Sequence, residues 1–196
     1  MFLRKIPKSL TFLFWMTILT GVLYPAVVTA AAQLLFPKGA NGSLLVIDGK
    51  VRGSRLLAQD FESPSFFHAR PSATGYAYIG SGASNLGPVS ADLAKAVEAR
   101  RAAWAKDFGT KPPEDMLYAS ASGLDPDISL EAALGQADRV AAARALGEGA
   151  KSALVAAIRK ASAERTGLIG PPRVDVVSLN ALLETDPVFG GTGKGG

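Results

Sequence analysis

His68 is the only histidine in a chain of 196 residues that contains no cysteine. It stands in Phe66-Phe67-His68-Ala69-Arg70-Pro71-Ser72, between aromatics and an arginine. An imidazole titrates near neutrality and can serve as a general base. Its nucleophile would be a hydroxyl, and the loop serines Ser81, Ser84, Ser120 and Ser122 are candidates. With Asp125 orienting the ring, these groups would make the serine–histidine–carboxylate arrangement of a hydrolase. Spacing alone does not bring them together, and a histidine bonded to loop backbone is the plainer reading. The lack of cysteine excludes a disulfide framework, a thiolate zinc site and a thiol nucleophile. A transition metal would have only carboxylates to join one imidazole, and the sequence shows no such cluster.

Two loops carry a second kind of chemistry. Gly80-Ser81-Gly82-Ala83-Ser84-Asn85-Leu86-Gly87 is glycine-rich and runs toward a helix starting near Ser90. A helix N-terminus preceded by such a loop can hold an anion. However, the Gly-Lys-Ser/Thr ending of a phosphate loop is missing, and Asn85 stands where a dinucleotide fingerprint needs its third glycine. Ser120-Ala121-Ser122-Gly123-Leu124-Asp125-Pro126 repeats the grammar ahead of another helix. The two loops either share one surface or are separate turns. His68, Arg70, Ser84, Asn85, Ser122 and Asp125 together make a candidate interaction surface.

The elements that must position these residues follow from periodicity and turn chemistry. Leu44 to Ile47 reads as a strand, and Asp48-Gly49 as a two-residue hairpin turn that returns through Lys50-Val51. Residues 60–88 are punctuated by Pro64, Pro71, Pro88 and four glycines, and read as a long ordered loop. Leu93, Val97, Trp104 and Phe108 form one helical stripe, with Ser90 as its N-cap. A second helix is expected from near Ser129, with Leu130, Leu134, Ala137 and Ala141 on one face. A third spans about Ala150 to Arg165, with Leu154, Ile158 and Ala161 inward and Gly167 as a stop. Val174 to Val177 suggests a late strand. The fold class is α+β, one mixed domain over residues 37–188, followed by a glycine-rich tail at 189–196 expected to be flexible.

Ahead of this domain the chain changes character. No charged residue occurs from Ser9 to Pro37, and the 27 residues from Leu10 to Phe36 would span about 40 Å as a helix, against about 20 residues needed for a bilayer core. Residues 10–36 are therefore a membrane-helix candidate behind a short segment, 1–9. Val28-Thr29-Ala30 resembles a signal-peptide cleavage site, but the apolar run continues past it through Phe36. Arg4, Lys5 and Lys8 precede the span and only Lys38 lies close behind, which predicts a cytoplasmic N-terminus and an extracytoplasmic domain. Thr17, Gly21, Pro25, Thr29 and Gln33 recur every fourth residue, and small or weakly polar residues at that spacing suit close packing against another membrane helix. Removing the three leading cations from 21 basic residues leaves 18 against 17 acidic ones. So balanced a domain lacks the basic face that nucleic acid requires.

Several of these motifs occur together in a known family. Phe67-His68-Ala69-Arg70-Pro71-Ser72-Ala73, Ser81-Gly82-Ala83-Ser84-Asn85-Leu86-Gly87-Pro88 and Ala119 to Pro126 come first. Gln136 with Arg139 to Arg144, then Pro172-Arg173-Val174 and Leu179-Asn180, complete the set. In this order, behind one N-terminal span, the chain resembles the KdpC family, the C subunits of bacterial potassium-transporting P-type ATPases. The resemblance runs to about Glu184. It departs at Ala83 and Ala121, where the family usually has glycine, at Asp127 (usually His), at Asp175 (usually Asn) and at Pro171 (usually Glu). It implies a non-catalytic inner-membrane subunit that stabilises an ATP-driven potassium import complex and, as a catalytic chaperone, raises the nucleotide affinity of the ATPase subunit. Its partners would be the ATP-hydrolysing and potassium-translocating membrane subunits. No cofactor is assigned to this chain itself; ATP would enter through the ATPase subunit. An anchored extracytoplasmic serine hydrolase and a free-standing anchored binding module are the alternatives.

Overall fold

The computed structural model describes residues 6–167 and 170–190. They fall into two compact units, one ending at Leu44 and the other beginning at Leu45.

The first unit is dominated by one long helix. It comprises α1 (Ile6–Ile18), a π-helical turn (Leu19–Leu23) and α2 (Tyr24–Leu35). Pro25 accounts for the π turn. Its ring would crowd the carbonyl of Gly21 in a regular α-helix, and it has no N–H to donate there. The backbone widens one turn earlier, with Tyr24 N donating to Leu19 O, and the helix continues. From Pro7 to Leu35 it runs 29 residues and is long and apolar enough to cross a membrane. Thr11 and Thr20 donate their hydroxyls to the carbonyls of Pro7 and Met16 at 2.8 and 2.7 Å, which satisfies both polar groups within the helix. At its end, α3 (Pro37–Ala40) turns away. The side-chain amides of Gln33 and Asn41 then bond reciprocally at 3.3 and 3.1 Å.

The second unit opens within the hairpin of β1 (Leu44–Ile47), whose first residue closes the first unit, and β2 (Lys50–Ser54). Asp48 and Gly49 both take positive φ, 51° and 72°, as the two-residue turn demands. Residues 55–90 contain no helix or strand. Next come α4 (Ala91–Phe108), α5 (Glu114–Leu117), β3 (Asp127–Ser129), α6 (Leu130–Ala143), α7 (Glu148–Arg165), β4 (Arg173–Asp175) and α8 (Val176–Thr185). Ser90 caps α4 as expected, accepting from Leu93 N, and Ser129 caps α6, accepting from Ala132 N. The strands β3 and β4 pair antiparallel, with Ile128 opposite Val174.

The core lies where α6, α7 and α8 meet this ribbon. Ala132, Ala133 and Ala137 give α6 a face of small side chains, and Leu154 and Ile158 of α7 are fully buried among them. Burying each of those two aliphatic side chains contributes about 1.5–3 kcal/mol. Phe67, from the long loop, is equally buried and fills the same core. Phe189 is 3% exposed and joins it too, so packing continues into the segment expected to be a free tail. Residues 191–196 of that tail lie outside the described residues.

One expectation needs correction. Val176 and Val177 do not extend a strand; they begin α8. Asp175 ends β4 because its carboxylate turns to cap the helix, accepting from Val177 N at 2.9 Å and Ser178 N at 3.2 Å. Ser178 Oγ donates to its other oxygen.

Candidate functional site

The motif residues converge on the loop segment 63–72, and they do so mainly through backbone. Gln136 of α6, fully buried, accepts from His68 N at 2.8 Å and donates to His68 O at 3.0 Å. Asn180 of α8 does the same for the neighbouring residue, accepting from Phe67 N at 2.8 Å and donating to Phe67 O at 2.9 Å. Each amide thus imitates a neighbouring strand for a segment that has none. Arg139 donates to Pro64 O at 2.6 Å, Phe66 O at 2.9 Å and Gln136 Oε1 at 2.9 Å. Arg144 donates to Ser65 O at 2.7 Å and Leu183 O at 2.9 Å, with its guanidinium carbon 4.9 Å from the centre of the Phe66 ring. Burial lowers the pKa of both arginines, opposed by the charge of Asp107 at Arg139 and of Glu184 at Arg144. These are the groups a phosphate would need, and they are engaged with carbonyls of this chain.

His68 follows from that arrangement. Its Nε2 lies 3.2 Å from Ser63 O and 3.4 Å from Arg139 Nη1. The ring nitrogen cannot donate to one and accept from the other at once. Arg139 is a permanent donor satisfied at Pro64, so Nε2 carries the proton and donates to Ser63 O. Burial first, and then the Arg139 charge, lower the pKa of His68; the Ser63 carbonyl, Asp107 and Asp60 oppose them. Folding therefore favours the neutral ring. The unfolded chain binds the extra proton more readily, so stability is present above about pH 6.5 and falls as pH drops below it toward the folded-state pKa. We expect the melting temperature to fall between pH 7.5 and 5.5, and the fall to shrink in His68→Asn. Parallel thermal scans would check this, and equal slopes for both proteins would refute it.

The hydrolase arrangement is not assembled. Asp125 pairs with Arg70 at 3.0 Å and accepts from Asp127 N at 3.1 Å, not from the imidazole. Ser120 and Ser122 bond to each other at 3.1 Å and accept from Gly123 N and Leu124 N. Ser81 donates to Ser122 O at 2.8 Å. The catalytic reading of His68 with these serines is therefore withdrawn; Ser81, Ser120, Ser122 and Asp125 are all engaged elsewhere, and Ser84 lies exposed on the outer loop.

The two Ser/Gly-rich loops do share a surface. Gly82 N donates to Ser122 O at 2.9 Å, and Ser120 N to Pro71 O at 2.8 Å. Gly123, at φ 70°, sits where they cross; a Cβ there would lie 2.9 Å from Gly82 O and 3.1 Å from Ser72 Oγ. Ser84 and Asn85 are exposed beyond that junction, and Asn85 takes φ 54°. Arg70, Ser122 and Asp125 thus lie beside the crossing, Ser84 and Asn85 on its outer loop, and His68 under Arg139. Ala83 and Ala121 have no positive φ, which explains how alanine is accommodated there. Asp127 forms a two-oxygen pair with Arg165, at 3.0 and 3.2 Å from Nε. That contact raises the Arg165 pKa, chiefly through the hydrogen bond.

Sequence reasoning placed Gln136 and Asn180 in motifs without finding their work. The readable signal was a polar amide on an otherwise apolar helical face. Among the described residues no group of three or more His, Asp or Glu gathers as a metal site would require. A cleft of about 640 Å³ opens between α4 and α6, bounded by Trp104, Leu134 and Pro172. Trp104 lies against Gly135, where a Cβ would come 3.0 Å from its ring.

Comparison with known proteins supplies the rest. The family model described as "K+-transporting ATPase, c chain" matches residues 6–185. A protein of Burkholderia vietnamiensis, named potassium-transporting ATPase KdpC subunit, is 49% identical over 176 residues, covering 86% of this chain and 90% of the relative. Proteins of the same name from Gemmatimonas aurantiaca and Acidobacterium capsulatum are 44% and 47% identical. They cover 86% and 84% of this chain, and 86% and 89% of their own lengths. With the motifs accounted for as the clamps and crossings of one scaffold, and with matches of this extent, the chain belongs to the KdpC family.

Proposed function

We propose that this chain is a non-catalytic subunit of an ATP-driven potassium import complex, fixed in the inner membrane by its N-terminal helix, and that it stabilises the assembly. The observation that carries the reading is how the motif side chains are spent. Gln136, Arg139, Arg144 and Asn180 hold the backbone of residues 64–68, and the Ser/Gly loops hold each other. Such residues build a rigid surface, and most of their polar groups are committed to backbone rather than to turnover or to gripping ATP. Any effect on the nucleotide affinity of the ATPase subunit is then indirect, through contacts with partners.

The leading cations Arg4, Lys5 and Lys8 orient the helix with its N-terminus in the cytoplasm. The domain then faces the side where potassium arrives and ATP is absent. Within the helix, Thr17, Gly21, Pro25 and Thr29 present small side chains to a partner helix. A four-residue repeat drifts about 40° per step around a regular α-helix. The π turn adds a residue to one turn and brings the later positions back by about 100°, which keeps the stripe nearer one face. Gln33 ends the stripe with its amide engaged by Asn41.

Fusing alkaline phosphatase after Gly190 should give an active enzyme, and a cytoplasm-only fluorescent reporter at the same point should stay dark. The reverse pattern would overturn the topology. Extraction in mild detergent should recover polytopic subunits with the chain, and recovery as a lone monomer would sink the assembly reading.

A further inference from the structure

We infer that the loop from Tyr76 to Val89 is the surface by which the domain docks on a protein subunit of its complex; this rests on the assembly reading above. From Pro71 to Ala91, 21 residues, the chain carries no charge. Tyr78, Ile79 and Val89 on this stretch are 63%, 96% and 98% exposed. Leu86 is also exposed. Single exposed apolar residues mean little, but several on one uncharged loop mark an interaction site.

The loop is held from below. Ser72 Oγ accepts from Thr74 N and Tyr76 N at 3.2 and 3.0 Å, and Tyr76 OH donates to Arg70 O at 2.9 Å. Gly82 N and Ser81 Oγ both bond to Ser122 O. Ser90 N closes the far end on Gly87 O at 3.0 Å. A loop pinned at three places loses little freedom on binding, so more of its apolar contact becomes affinity. Charge selects the occupant. A loop that met an anionic bilayer surface would carry lysine or arginine beside its apolar residues. This one carries neither, and that matches the charge-poor centre of a protein–protein interface.

The test uses the intact complex. A photo-crosslinking amino acid at position 79 or 89 should join the chain to one identified subunit, and the same group at Val51 of the hairpin, exposed but off the loop, should not. Ile79→Lys with Val89→Lys should reduce recovery of that subunit about tenfold or more, with the melting temperature unchanged because both positions are in solvent. Adducts to lipid in place of protein, or undiminished recovery of subunits by the double variant, would overturn the loop assignment while leaving assembly intact. Failure of the unsubstituted chain to recover any subunit would instead overturn the assembly reading.

Discussion

Asn180→Leu is expected to lower the stability of the unit beginning at Leu45 by about 2–4 kcal/mol, because it leaves both the N–H and the carbonyl of buried Phe67 without a partner. For a unit of this size that corresponds to a fall of roughly 5–15 °C in melting temperature. Leucine has the same branching and heavy-atom count as asparagine and is larger, so the loss reports unmet polar groups and some overpacking rather than a cavity. Asn180→Asp should fall between the two: it can still accept from Phe67 N, but it turns a carboxylate oxygen toward Phe67 O. Thermal unfolding followed by circular dichroism would measure the series. A loss in the leucine variant below about 0.5 kcal/mol would mean that the amide clamp contributes nothing, since a buried unmet group costs more than that.

The second large effect is expected at the crossing of the Ser/Gly loops. Gly123→Val places a β-branched residue at φ 70° and drives its Cβ toward Gly82 O and Ser72 Oγ. The left-handed backbone costs about 1–2 kcal/mol, and the overpacking adds about 1–3 kcal/mol. Ala83→Gly and Ala121→Gly, which restore the glycines usual in the family, are expected to gain nothing, because neither position needs positive φ. Proteolysis of the 74–82 loop should accelerate in Gly123→Val alone. Equal cleavage of all three variants would contradict the crossing as the restraint.

Much of the fold was legible because its signals are local. The stripe from Leu93 to Phe108, the Ser90 cap and the Asp48-Gly49 turn each depend on neighbours a few residues apart, and each is where periodicity and turn chemistry put it. The short strand β3 escaped because three residues carry no period. The helix α8 escaped because Val176-Val177 look like a strand until Asp175 is seen to cap them. The candidate site was legible only as a set of motifs. Nothing local says that Gln136 bonds the backbone of His68, 68 residues away, or that Asn180 reaches Phe67 across 113 residues. An imidazole beside serines and an aspartate looks reactive in one dimension; in three, His68 bonds a carbonyl, Asp125 pairs with Arg70, and Ser120 and Ser122 close their own loop.

Those long spans have a consequence for the order of folding. The segment around Phe67 is made early, yet its backbone acquires partners only when α6 and α8 exist, and α8 ends at Thr185. Contacts this distant along the chain form slowly, since the intervening loop must close before they are rewarded. The nascent domain therefore stays open along residues 63–72 until α8 has been synthesised. Completion of the C-terminal helix is the event that shuts it. A chain truncated before Asn180 would keep its long apolar helix and lose the clamp on Phe67, leaving the opened domain as a target for quality-control proteases.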